Sequence, residues 1–458
     1  MMESSVAGRT VRPHHAPDAF LIDDVRIVDG TGAPAQSGAS IVVKDGAIAY
    51  VGPPTEATAA WAGARLPGMG RTIVPGLIDL HIHSTLDADM RCYLKNGVTT
   101  VRYGGIDSTS VDALRRRVAT AGLRAPRILS CGPMIDTAPP SWPDWARVVA
   151  DPGEARLVAL DLLDGDDLDG LFVVHGVTAD MLRPIVDVAH ERGKPVVGQL
   201  WHPDGRECAQ LGVDQLDNTS RIVASAAFPA EMLVRPGSVP DRLALLARAW
   251  ATADWSLTMP ILESMAEAGV AYCPTFVVWE YLAGIGREEL ESDQDYVLFG
   301  EADHLAFAHL AEQMNGTWTR DDAYFWRVAL DNRHEWVRRF HELGGVVLVG
   351  TDMQYGGIQF HRELACLEDC GLSRLEVLAA ATGDAARAAG LSASFGTVQE
   401  GKAADFLILN ANPLEGLANL RVIDLVVQDG VPQGSREIGV RAEVALLPGW
   451  SLMSTAHS

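Results

Sequence analysis

Hydrophobic and polar positions along this chain change period twice. Between Ala19 and Gly52 the apolar residues fall in short runs, FLIDDVRIVDG and then ASIVVKDGAIAYVG, which is the pattern of strands. Asp45-Gly46 lies between two of these runs, a pair suited to the tight turn of a hairpin. The same pattern returns far downstream in KAADFLILN and IDLVVQDGV, where Asp429-Gly430 is a second such turn. Either segment alone would leave an apolar face in water, so the two are expected to pair into one small β-domain built from both chain ends. Residues 1–17 show no periodicity and read as a loose tail, so His14 and His15 are not expected to bind a metal.

In the middle of the chain strand and helix patterns alternate. GVTTV (97–101) and PRILS (126–130) are strand-like. TADMLRPIVDVAHERG, starting at Thr178, places Leu182, Ile185, Val186 and Ala189 on one helical face. Thr178 is its expected N-cap and Gly193 its stop, and the buried-strand run PVVGQL follows at once. The unit repeats in WVRRFHELGG and VVLVGTD, and Ser373 with Glu376 forms a capping box before the helix VLAAATGDAARAAG. Such alternation over roughly 300 residues favours a parallel α/β fold, while closure of the sheet is not readable from period alone. The expected units are residues 18–72 and 393–440 for the β-domain and 73–392 for the parallel α/β domain. The stretch 225–325 is longer than the alternation needs. With Trp250, Trp255, Trp279 and Trp318 it is expected to supply extra helices, a lid or pocket walls.

Composition narrows the class. Of 458 residues, 37 are Lys or Arg and 60 are Asp or Glu, a net charge of −23. That balance argues against nucleic-acid or anionic-membrane partners, which need clustered cations. Six cysteines without a CxxC do not make a disulfide framework, and Cys366 and Cys370, four apart in a helical pattern, read as packing. No apolar leader follows Met1 and no apolar run is long enough to span a bilayer, so a cytoplasmic chain is expected.

Two features carry chemistry. His81 and His83 follow the apolar run TIVPGLIDL, and alternate residues of a strand point to one side, so both imidazoles can converge on one metal. Asp352 ends the apolar run VVLVGTD, at a strand C-terminus where parallel folds gather their catalytic groups. A carboxylate there can ligate a metal, take a proton from water and return it to a leaving group. Solvated histidines and a helix N-cap are the bland alternatives. There is no phosphate-binding Gly-rich loop and no GxSxG elbow.

Six stretches in order, VPGLIDLHIH, GVTTVR, APRILSCG, HERGKPVVGQ, VGTD and FGTVQEGKAADFLILNANPLEG, together resemble the amidohydrolase superfamily, in its imidazolonepropionase- and prolidase-like branch. The resemblance implies a distorted (β/α)₈ barrel, TIM-like, with a small β-sandwich domain made by both termini. It also implies a homodimer, and hydrolysis of amide, urea, ester or ring C–N bonds by metal-activated water. The family's paired histidines fall on His81 and His83 and its last-strand aspartate on Asp352. Three other ligand positions depart: the carboxylated lysine falls on Phe172, and two histidines fall on Gln199 and Asn218. Phe172 can neither bind a metal nor carry a carbamate, so a bridged two-metal site is not expected. What remains is a three-ligand site, His81, His83 and Asp352, for one divalent metal, expected to be zinc.

The expected function is therefore hydrolysis of a non-peptide or cyclic amide C–N bond in a small-molecule substrate by water that one metal and Asp352 activate. The alternatives are a lyase, cyclase or isomerase that uses metal weakly or not at all, and an inactive binding protein. Gln199, Asn218, Tyr103, His361 and Trp201 are the substrate-binding candidates. His175 and His202, each three residues beyond a lost ligand, have the wrong strand parity to replace it unless a loop intervenes.

Overall fold

The computed structural model describes residues 18–434 and 438, apart from 202, 219–221, 223, 228–238 and 317. The sequence's two hairpin-rich ends meet in one sheet. Its order is β17 (Val431–Gly434), β16 (Ile423–Gln428), β15 (Phe406–Leu409), β5 (Thr72–Pro75), β1 (Ala19–Ile27), β2 (Gln36–Lys44) and β3 (Ala47–Gly52), with β4 (Ala64–Pro67) beside β1. Both Asp-Gly pairs make turns with two left-handed residues: φ is 54° and 83° at Asp45-Gly46, and 49° and 76° at Asp429-Gly430. The turns touch each other, since a Cβ on Gly430 would stand 2.6 Å from the Gly46 Cα. Ala404 ties them, donating to the Gly46 carbonyl and accepting from the Gly430 amide. Phe20, Ile22, Ile41, Ile73, Phe406 and Val427 are buried together in one cluster, so each end covers the apolar face of the other.

The middle of the chain is parallel throughout its sheets. One sheet holds β6 (Leu77–Ile82), β7 (Val98–Tyr103) and β8 (Arg127–Ser130). A second runs β10 (Ala146–Val148), β9 (Met134–Asp136), β11 (Leu171–His175), β12 (Val196–Leu200), β13 (Gln215–Asp217) and β14 (Ala271–Cys273). The segment 346–352 links them. It pairs Val347 with Tyr272 of β14, and it exchanges bonds with β6 from Leu80 to Val349 and from Asp352 to His81. On the other side, the Asp169 amide donates to Ser130 at the end of β8, just before β11. The fold is thus mixed α/β with parallel sheets, and the C-terminal ends of β6, β11, β12 and β13 lie on the same rim as Asp352.

Helix Ala179–Glu191 buries Leu182, Ile185, Val186 and Ala189 as its period requires. Thr178 occupies its N-cap without a side-chain capping bond. Ser373 and Glu376 do form a capping box. The Ala-rich helix that they open is broken, however, into Arg374–Ala380 and Gly383–Ala388. Thr382 turns out of helical geometry there (φ −139°, ψ −88°) and donates its hydroxyl to the Leu378 carbonyl, while Gly383 packs against the backbone of Gly30. Six cysteines, Cys366 and Cys370 among them, are free and buried. Among the described residues no helix is long and apolar enough to cross a membrane.

Candidate active site

His81, on the rim, has no exposed surface. Its backbone amide donates to Asp79, which also accepts from the amide and hydroxyl of Thr351. Burial pushes the Asp79 carboxyl up to about 7 against those bonds. The side chain of His81 is fixed by Asp217, whose carboxylate lies 2.7 Å from Nδ1. A carboxylate accepts only, so the proton sits on Nδ1 and the Nε2 lone pair faces inward. That Nε2 lies 3.1 Å from the Nε2 of His83 and 3.5 Å from Oδ1 of Asp352, and His83 Nε2 lies 3.0 Å from the same oxygen.

Asp352 is left-handed (φ 51°), as is Asn218 (φ 55°), a conformation that Asp and Asn tolerate better than most residues. Burial would raise the Asp352 carboxyl, but the two imidazoles and the Asn218 amide outweigh it and hold the group below its usual range. For His81, burial pulls the imidazole down, and the Asp352 charge and the bond to Asp217 more than compensate.

The three ligand atoms form the metal-type group among the described residues. A tetrahedral zinc with bonds of about 2.05 Å separates its ligand atoms by roughly 3.3 Å, and the three observed separations straddle that value. Three converging acceptor atoms repel one another unless a proton or a cation lies between them, so the donor set fits one divalent ion. A second ion does not fit. Phe172 puts its ring edge-on to His81, with centroids 5.5 Å apart, and packs with Cys131, Met134, Val174 and Val197. Asn218 spends both ends of its amide inside the protein, donating to Asp352 and accepting from Trp279.

His83 and Asp352 open into a chamber that is continuous with solvent. Gln199 and Asn218 line it, as does His175, whose Nδ1 is 2.7 Å from the Ser141 hydroxyl. His175 ends its strand, and there the parity expected of a continuing strand no longer governs. The remaining wall is largely apolar: Met134, Trp142, Trp145, Leu243, Leu246, Val278, Leu282 and Phe307, with the buried Arg242 among them. Trp145 lies parallel to His83, centroids 6.0 Å apart.

Three expected substrate contacts are not brought to this chamber. Tyr103 is wholly buried and donates to the Ser84 carbonyl. Trp201 is buried in the main core, its amide on the His175 carbonyl. His361 meets the Asn96 carbonyl at 2.9 Å and lines a different cavity, with Glu280 and Arg421. Burial pushes its pKa down to about 4. His202 lies outside the described residues. Sequence reasoning missed Asp217, Trp142, Trp145 and Arg242. For Asp217 the only signal was its place beside Asn218, with Gln215 on the same strand face. The stretch 225–325 does wall the chamber, but through aliphatic side chains, Arg242, Tyr281 and Phe307; Trp250 and Trp279 are core.

The Amidohydrolase family model matches residues 330–432. No curated protein is a significant sequence match. Among solved structures, bottromycin amidohydrolase superposes with a TM-score of 0.70 at 23% identity, over 92% of this chain and 88% of that one. A candidate prolidase from Bifidobacterium longum gives 0.66 at 24% identity, over 94% and 100%. The ochratoxinase of A. niger gives 0.65 at 18% identity, over 94% and 100%. The family match thus lies in the C-terminal part of this chain, and the fold along nine-tenths of its length is the one these solved structures share.

Proposed function

We propose that this protein is a hydrolase that uses one divalent metal to cleave a C–N bond, in a non-peptide or cyclic amide of a small, apolar or aromatic molecule. The observation that carries this reading is the convergence of His81 Nε2, His83 Nε2 and an Asp352 oxygen at the floor of a largely apolar chamber. In this reading the linked parallel strands are a distorted (β/α)₈ barrel, and residues 18–72 and 393–440 form the smaller domain. His81, His83 and Asp352 would hold the ion, zinc by ligand type. When bound, it supplies Lewis acidity to a carbonyl oxygen and acidity to a water. Asp352 takes a proton from the attacking water and returns it to the departing nitrogen. Asn218 holds the far oxygen of Asp352, leaving Oδ1 toward the histidines. Gln199, on the wall, offers an amide to the substrate carbonyl, and the indoles of Trp142 and Trp145 give a flat apolar surface beside it.

Metal analysis of protein purified without added metal tests the reading. Stoichiometric zinc that disappears in His81→Ala is the expected result. A wild-type chain that binds no divalent ion, even when titrated with zinc, would overturn it.

A further inference from the structure

Asn218 stands where relatives of this fold are expected to carry a histidine ligand, and its amide is locked by neighbours on both ends. Its Oδ1 accepts from the Trp279 indole at 2.9 Å, and its Nδ2 donates to Oδ2 of Asp352. An indole N–H can only donate and a carboxylate can only accept, so one orientation of the Asn218 amide satisfies both. Trp279 itself has little freedom. It is wholly buried, stacked on Trp326 with centroids 4.1 Å apart, and lies 3.9 Å beneath the guanidinium of Arg333. The Trp326 indole donates to the Trp279 carbonyl, and Arg333 donates to the carbonyls of Asn218 and Pro274.

We infer that Trp279 is a positioning residue for Asp352, acting through Asn218. The indole N–H fixes which end of the Asn218 amide meets the carboxylate, and that end turns the second carboxylate oxygen toward His81 and His83. Asn218 then serves to orient Asp352, its Oδ1 held by the indole and its Nδ2 by the carboxylate. Without the indole the amide can flip, presenting its oxygen to Asp352 and repelling it. The consequence for metal binding rests on the function proposed above, while the orientation itself is a property of the metal-free chain.

Two measurements test this. In metal-free protein labelled with ¹⁵N-tryptophan, the indole resonance absent from Trp279→Phe identifies Trp279 among the eleven tryptophans. It should be protected from hydrogen exchange in the wild type, and should shift upfield and lose protection in Asn218→Ala. An unmoved, still-protected resonance in Asn218→Ala would overturn the inference. If Trp279→Phe does not fold, Asn218→Ala decides alone: one indole resonance moves, or none does. Zinc titration supplies the second arm. Trp279→Phe and Asn218→Ala should each weaken binding by about tenfold, and the double variant no more than Asn218→Ala alone, because both act on one link. Fully additive losses would overturn the link. A wild type that binds no zinc would refute the proposed function, and the resonance would still decide the orientation.

Discussion

Asp217→Asn is nearly isosteric, yet it should weaken the metal site because both oxygens of Asp217 are in use. Oδ2 faces His81 Nδ1 at 2.7 Å and Oδ1 accepts from Gln215 Nε2 at 2.5 Å, with the Arg102 guanidinium 3.9 Å away, all in a buried setting. An asparagine has one acceptor oxygen for these donors. If that oxygen stays with Gln215, the amide NH₂ faces Nδ1, and the His81 proton must move to Nε2, the nitrogen that faces His83 and Asp352. Metal binding must then displace that proton. Losing such a supporting carboxylate costs about 10–100-fold in metal affinity, which is about 1.4–2.7 kcal/mol. If the oxygen turns to His81 instead, the unpaired Gln215 amide costs folding about 1–3 kcal/mol. Competition titration of zinc against a chromophoric chelator, beside urea unfolding of the same protein, separates the two outcomes. Unchanged affinity together with unchanged stability would refute the argument that Asp217 orients His81.

Glu363 and Gly430 give tests away from the metal. Glu363 is wholly buried, accepts from the amides of Phe276 and Val277, and is pushed up to about 8 by burial despite those bonds. The folded chain keeps a proton there that the unfolded chain releases near 4.5, so stability should fall as pH rises from 4.5 toward 8. Glu363→Gln should flatten that slope in urea unfolding at the two ends of the window, and an unaltered slope would count against a protonated Glu363. Gly430→Ala must adopt φ 76° and place its Cβ 2.6 Å from the Gly46 Cα. It should lose more than the ~1–2 kcal/mol left-handed cost. Gly390→Ala, also left-handed at φ 71° but with nothing within 4 Å, isolates that backbone cost; equal losses would mean that the two turns do not touch in solution.

Local pattern sufficed for the elements and for half of the site. Period-two runs ended by Asp-Gly located both hairpins, because that dipeptide tolerates the left-handed pair which such turns need. Alternation at the end of β6 put His81 and His83 on one side, and the apolar run before Asp352 marked the segment that bridges β14 and β6 without forming a regular strand. Phe172, Gln199 and Asn218 were singled out in the sequence as well, and the fold sets Phe172 against His81 and places Gln199 and Asn218 on the chamber wall. The sequence could not say what each polar atom would meet. His81 and Asp217 are 136 residues apart and Asn218 and Trp279 61 apart, and no periodicity couples such positions. Tyr103, Trp201 and His361 have residue types suited to a substrate wall, but a side chain's partner depends on which neighbouring element packs over it: Tyr103 and Trp201 are covered, and His361 faces a different cavity. Trp142 and Trp145 lie in a segment without helical or strand period, yet they line the chamber because β9 and β10 carry that segment over His83. Sequence alone determined which groups could bind a metal, since that is a matter of donor chemistry and strand parity. Only the tertiary structure decided which of them converge and how each is oriented, because hydrogen bonds and burial between distant segments exist only once the chain is folded.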